Sequence, residues 1–96
     1  MPDFALDADT RSLVRFPLGQ HTVELTEDAD GGLALWLDGC LRKRRHPGTD
    51  GTVYLWTNVE LPFEDHHLVE VRRAGEPLIL EVRVNGHLQA QAERRP

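Results

Sequence analysis

The strongest constraint on this chain is a nine-residue pattern that occurs twice. Leu33-Ala34-Leu35-Trp36-Leu37-Asp38-Gly39-Cys40-Leu41 matches Leu80-Glu81-Val82-Arg83-Val84-Asn85-Gly86-His87-Leu88 position by position. Each copy alternates apolar residues, then places Asp-Gly or Asn-Gly, then a spacer and a leucine. The two turns lie 47 residues apart (85 − 38). Asp-Gly and Asn-Gly between alternating apolar runs mark two-residue hairpins, because a type I′ turn needs positive φ at both central residues. Two antiparallel hairpins are therefore expected, and with them an all-β fold.

A chain of 96 residues suffices for one domain with a modest core. We divide it into an N-terminal arm over 1–18, a β core over 19–91 and a frayed tail over 92–96. Hydrophobic residues at 40% and charged residues at 28% lie in the ordinary globular range. No run approaches the about 20 apolar residues that a membrane helix needs, so no membrane partner is expected. The acidic start, Met1-Pro2-Asp3-Phe4-Ala5-Leu6-Asp7, lacks the basic and apolar regions of a signal peptide. Cys40 is the single cysteine, so an internal disulfide is excluded and a cytoplasmic location is expected. The net charge of −5 weighs against nucleic acid as the main partner, since phosphate binding leaves a basic footprint. Ten arginines against the single Lys43 read as the mark of a GC-rich coding sequence.

Along the chain, Thr10 to Pro17 admits a short helical turn near 8–14, ended by Pro17 and Gly19. His21 to Thr26 alternates, with Val23 and Leu25 on one face. A polar turn over 27–32 leads into Leu33 to Leu37, with Trp36 on the face opposite the leucines. His46-Pro47-Gly48-Thr49-Asp50-Gly51 reads as a loop. Thr52 to Phe63 is the longest alternating run. Val53, Leu55, Val59, Leu61 and Phe63 share one face, and Tyr54, Trp56, Asn58 and Glu60 the other. Leu68 to Arg73 and Leu78 to Val84 are further strands, and a short one runs through Leu88 and Ala90. This gives about seven short strands, or five long bent ones, as in a small antiparallel sandwich or barrel.

No reading of the residues points to catalysis. Cys40 follows a hairpin glycine and reads as a half-buried small residue, and Ser12, the only serine, lies in the arm. No catalytic residue and no cofactor is expected. His66-His67 is the one histidine cluster, but strand neighbours face opposite ways and chelate one ion poorly, so no metal is expected. Arg42, Lys43, Arg44 and Arg45 form the concentrated positive charge, either a patch for phosphate or an acidic partner, or an edge guarded against aggregation. Tyr54, Trp56 and Trp36 sit on polar-patterned faces, where aromatics stack bases or anchor a partner, or else cover the second face of a closed structure as core or subunit interface. Burial of that face in a dimer is expected.

Two family resemblances follow. Gly19-Gln20-His21-Thr22-Val23-Glu24-Leu25, then Gly32 to Gly39 and Arg42-Lys43, resembles the opening of the β-domain of the Fas apoptosis inhibitory molecule family. Leu80 to Leu88 resembles that domain's later strand. The resemblance implies an antiparallel β-sandwich without catalytic residues that acts through protein contacts. His21 to Leu25, followed by Trp56-Thr57-Asn58-Val59-Glu60-Leu61, is similar to the first motif of Sm-like proteins. That similarity implies a bent five-stranded barrel with Asn58 as a base contact and Trp56 as a stacking position. Tyr54 stands where that family has an acidic residue, and Val71-Arg72-Arg73-Ala74-Gly75 meets the second motif only with two residues inserted. The expectation is a non-enzymatic binding module with a protein partner or self-association into a dimer or higher oligomer. A variant Sm-like RNA binder using Trp56, Asn58 and the run Arg42, Lys43, Arg44 and Arg45 is the alternative.

Overall fold

The alternation of apolar and polar residues is realised as strands throughout a computed structural model, which describes residues 10–93. The chain divides into two compact units, Met1–His46 and Pro47–Pro96. The described part of the first holds β1 (Arg11–Leu18), β2 (His21–Glu27), β3 (Leu33–Leu37) and β4 (Cys40–Arg45). The second holds β5 (Val53–Leu61), a 3₁₀ turn (Pro62–Glu64), β6 (Asp65–Ala74), β7 (Ile79–Val84) and β8 (His87–Glu93). Each unit is an open antiparallel meander, with strand order β1-β2-β3-β4 in one and β5-β6-β7-β8 in the other.

In both meanders one face carries most of the buried apolar residues, and in the first Ala34 and Trp36 are buried on the other face as well. Val23, Leu25, Leu33 and Leu35 are buried in the first, and Val53, Leu55, Val59, Val69, Val71, Leu80, Val82 and Val84 in the second. Strand β5 shows the period of two most cleanly: every odd residue from Val53 to Val59 is buried and every even one from Tyr54 to Glu60 is exposed. Successive strand residues point to opposite faces, so this pattern alone decides which side loses its water.

Both predicted hairpin turns form. Asp38 and Gly39 have φ of 52° and 81°, and Asn85 and Gly86 have 51° and 82°. Positive φ at both central residues is the type I′ geometry, whose twist matches that of the flanking strands. Each turn is followed by a β-bulge at the same place. The register shifts between Leu35 and Trp36, making Arg42 the extra residue, and between Val82 and Arg83, making Gln89 the extra residue. The second bulge returns Leu88 opposite Arg83 and Ala90 opposite Val82, on different faces.

Several expectations need correction. Residues 11–18, assigned to an N-terminal arm with a helical turn near 8–14, form edge strand β1 paired to β2 from Arg11↔Glu27 to Leu18↔His21. Pro17 does not stop the strand, because an edge strand can spare the N–H that proline lacks. The bent five-stranded Sm-like barrel is absent from the described residues: both sheets are four-stranded and open. The connector between β4 and β5 forms a local turn. There the N–H groups of Gly48 and Gly51 donate to the carbonyls of Thr52 and Gly48, each at 3.0 Å. Phe63 leaves the alternation of β5 for φ 68° in the 3₁₀ turn and is fully exposed. β8 extends to Glu93, past the limit set for the β core. Asp3, Asp7 and Asp9 of the arm and residues 94–96 of the tail lie outside the described residues.

Candidate functional site

The two meanders position their side chains by one shared device. At the mouth of the first hairpin the Asp38 carboxylate accepts the Thr22 N–H at 2.8 Å and a hydrogen bond from His21 Nδ1. At the second, the Asn85 Oδ1 accepts the Leu68 N–H at 2.9 Å and its amide nitrogen lies 3.0 Å from His67 Nδ1. The backbone closes both clamps in the same way, with Asp38 N–H donating to Thr22 O and Asn85 N–H to Leu68 O, each at 2.9 Å. The proton direction at the imidazole differs. A carboxylate only accepts, so His21 donates to Asp38, whereas the Asn85 amide donates to His67. His67 Nε2 then donates to Asp65 at 2.9 Å. The hydrogen bond from His21 and the Thr22 N–H hold the Asp38 carboxyl below its ordinary range.

These clamps extend the sequence repeat. His21-Thr22-Val23-Glu24-Leu25 aligns with His67-Leu68-Val69-Glu70-Val71, 46 residues on, ahead of the hairpin segments 47 residues apart. The nine-residue pattern alone misses this, and sliding the chain against itself by one residue less reveals it. The extra residue lies in the second meander, where residues 74–79 between Arg73 and Leu80 stand against residues 28–32 between Glu27 and Leu33.

On the outward faces, register places four residues in a row about the aligned glutamates. The rows are Arg15-Glu24-Trp36-Leu41 and Trp56-Glu70-Arg83-Leu88. Trp36, on an inner strand, is 9% exposed and donates its indole N–H to Thr26 Oγ1 at 2.9 Å. Of the two readings its strand pattern left open, contact with a ligand or partner and burial as core, Trp36 realises burial. Around it lies a cleft of about 100 Å³ whose lining includes Thr26, Ala34, Leu41 and Arg44.

Trp56, on edge strand β5, is 46% exposed, and Tyr54 is 48% exposed on the same face. The Tyr54 hydroxyl donates to Glu70 Oε2 at 2.7 Å, and this bond to a carboxylate pushes the phenol pKa up. Asn58 and Glu60 continue the exposed side of β5, and the Asn58 amide nitrogen lies 3.0 Å from His66 Nδ1. Leu68, opposite Asn58, is exposed as well and adds apolar surface that the sequence pattern did not single out. Beside Tyr54, a cleft of about 180 Å³ is lined by Glu70, Arg72, Glu81 and Arg83.

The basic run lies on β4 and is not one patch. Arg44 stands opposite Ala34 on the outward face, and Lys43 and Arg45 stand opposite Leu35 and Leu33 on the other. Arg44 donates to Asp28 Oδ2 at 2.9 Å. Partial burial works to raise the Asp28 pKa, but the bonds from Arg44, Gly32 N–H and Asp30 N–H outweigh it and hold the carboxyl below its usual value. Cys40 is exposed rather than half-buried. No three metal-ligating side chains gather among the described residues, and no helix there is long and apolar enough to cross a membrane. Compared with family models, curated proteins and solved structures, the chain matches none.

Proposed function

We propose that this chain is a non-enzymatic binding module acting through protein–protein contacts or self-assembly, with the outward face of the β5–β8 sheet as its contact surface. The observation that carries this reading is the exposure of Tyr54 and Trp56 on one edge strand, next to exposed Leu68. Large aromatic side chains gain most when desolvated, and Tyr and Trp are enriched at the centres of protein interfaces. Tyr54 is held in place by its bond to Glu70, so less rotamer freedom remains to be lost on contact.

Two further observations support it. Three clefts among the described residues, of about 100, 180 and 250 Å³, are each smaller than the ~300–1,000 Å³ usual for small-molecule sites. His21, His66 and His67 take part in clamps with Asp38, Asn58, Asp65 and Asn85. The resemblance to the β-domain of the Fas apoptosis inhibitory molecule family implies the same kind of activity.

The test compares immobilised wild-type protein with Trp56→Ala and Arg44→Glu. The expected result is a bound protein set that survives moderate salt, is retained by Arg44→Glu and is lost by Trp56→Ala. Equal retention by all three would remove this face from the reading. Salt-sensitive binding of oligo-U or oligo-A RNA, lost in Arg44→Glu, would overturn it in favour of nucleic acid.

A further inference from the structure

The four sheet edges are guarded unequally. An edge strand offers backbone N–H and C=O groups as a template for another chain, and proteins blunt it with proline, bulges, charges or short length. β1 carries Pro17 and a register shift between Ser12 and Val14. β4 carries four consecutive basic residues and a bulge, and β8 carries the equivalent bulge at Gln89. β5 has none of these devices. Its pairing to β6 runs from Val53↔Arg73 to Leu61↔Asp65 without a shift. Its only charge over nine residues is Glu60, and proline comes only at Pro62, beyond the strand. Among the described strands it has a single neighbour, β6.

The β5 sequence is also complementary to itself. A two-fold interface requires that each contact be matched by its reverse, which an antiparallel strand provides about its own centre. The one centre that uses all nine residues is Thr57. On the buried-face side this sets Val53 against Leu61 and Leu55 against Val59. On the exposed side it sets Tyr54 against Glu60 and Trp56 against Asn58. No like charges meet, and every directly opposed pair belongs to one face. A slip of one residue would set buried-face residues against exposed-face ones, so the pattern itself selects the register.

We propose that two copies of this chain pair antiparallel through β5, centred on Thr57, and join their β5–β8 sheets into one eight-stranded sheet. The proposal rests on the protein-contact reading above and names its partner as a second copy. The pairing brings the two Trp56 rings into diagonal positions about 7–8 Å apart across the new seam, within reach of one another. It gives β5 a second strand neighbour and covers exposed aromatic surface in one step.

The experiment measures solution mass by light scattering across a concentration series, with tryptophan emission read in a Trp36→Phe background so that Trp56 reports alone. Wild type is expected to reach twice its 10.9 kDa chain mass, with Trp56 emission moving to the blue as it does so. The double variant Trp56→Lys/Asn58→Lys places cations opposite one another and is expected to stay monomeric. Trp56→Lys/Asn58→Glu loses the same aromatic ring but restores opposed charges, and is expected to regain the dimer. Circular dichroism checks that both remain folded, and an unfolded pair is replaced by the corresponding Tyr54 and Glu60 substitutions. Wild type that stays monomeric at the highest concentration, or a lysine pair as dimeric as wild type, overturns the proposal. A monomeric wild type that still loses its captured partner on Trp56→Ala would sink self-pairing and leave the contact reading standing.

Discussion

In the β1–β4 meander the outward row through Glu24 runs Arg15, Glu24, Trp36, Leu41. In the β5–β8 meander the row through Glu70 runs Trp56, Glu70, Arg83, Leu88. The same four residue types occur, with arginine and tryptophan exchanged across the glutamate. The consequence is large. A tryptophan on inner strand β3 has neighbours on both sides, so it is buried and gains a hydrogen bond from its indole N–H to Thr26. A tryptophan on edge strand β5 has a strand neighbour on one side only and stays about half exposed. Alternation tells which face a residue takes. Position across the sheet tells how much water it keeps.

The largest expected effect lies beneath these rows. Leu35 and Val82 occupy equivalent places before the two hairpins, and each is 1% exposed. Leu35→Ala should cost about 2–5 kcal/mol. Val82→Ala removes less buried hydrocarbon and should cost about 1.6 kcal/mol, at about 0.8 kcal/mol per buried carbon. Chemical denaturation of both variants checks the order, and a reversed order would break the equivalence of the two cores.

The hairpin glycines sharpen the comparison, because their surroundings are alike. A Cβ at Gly39 or Gly86 meets nothing within 4 Å, and both have positive φ. Gly39→Val and Gly86→Val should each destabilise by about 1–2 kcal/mol through backbone strain alone, and by equal amounts. Thermal melts that differ clearly between the two would show that one turn depends on more than its backbone.

The tryptophans come next. Trp36→Phe loses the donor to Thr26, which is 1% exposed, and should cost about 1–2 kcal/mol. Trp56→Phe at an exposed site should stay within about 0.5 kcal/mol. Equal losses would mean that the two rings share one environment.

The smallest effect separates Asp38 from Asn85. The folded Asp38 carboxyl titrates below its ordinary 3.8 because His21 and the Thr22 N–H stabilise the anion. As pH falls, the unfolded chain therefore takes up this proton first. The contribution of Asp38 is complete above that ordinary value and is lost as pH falls through the lowered one. Asp38→Asn should remove this part of the acid dependence, seen as a shallower fall of Tm between about pH 5 and pH 2.

Much of the fold was legible beforehand. Asp38-Gly39 and Asn85-Gly86 announced type I′ turns because few residue pairs tolerate positive φ twice in succession. The candidate site was legible only in part. Tyr54, Trp56 and Asn58 share the exposed side of β5 as the alternation required. The run from Arg42 to Arg45 divides between the two faces as strand alternation requires, but the bulge at Arg42, which resets the faces of the residues beyond it, was not legible. Leu68 escaped notice because its exposure depends on its register opposite Asn58.

By itself, the sequence determined the local geometry: which residues turn, which strands alternate, and which face of each strand is apolar. These follow from steric limits on φ and from a period of two, both of which act over a few residues. The tertiary structure alone decided that Arg11–Leu18 is a strand rather than an arm and that the sheets stay open at four strands. It also decided that Trp36 is buried while Trp56 is not. Those outcomes depend on which strand lies beside which, a matter of long-range pairing that no local pattern encodes.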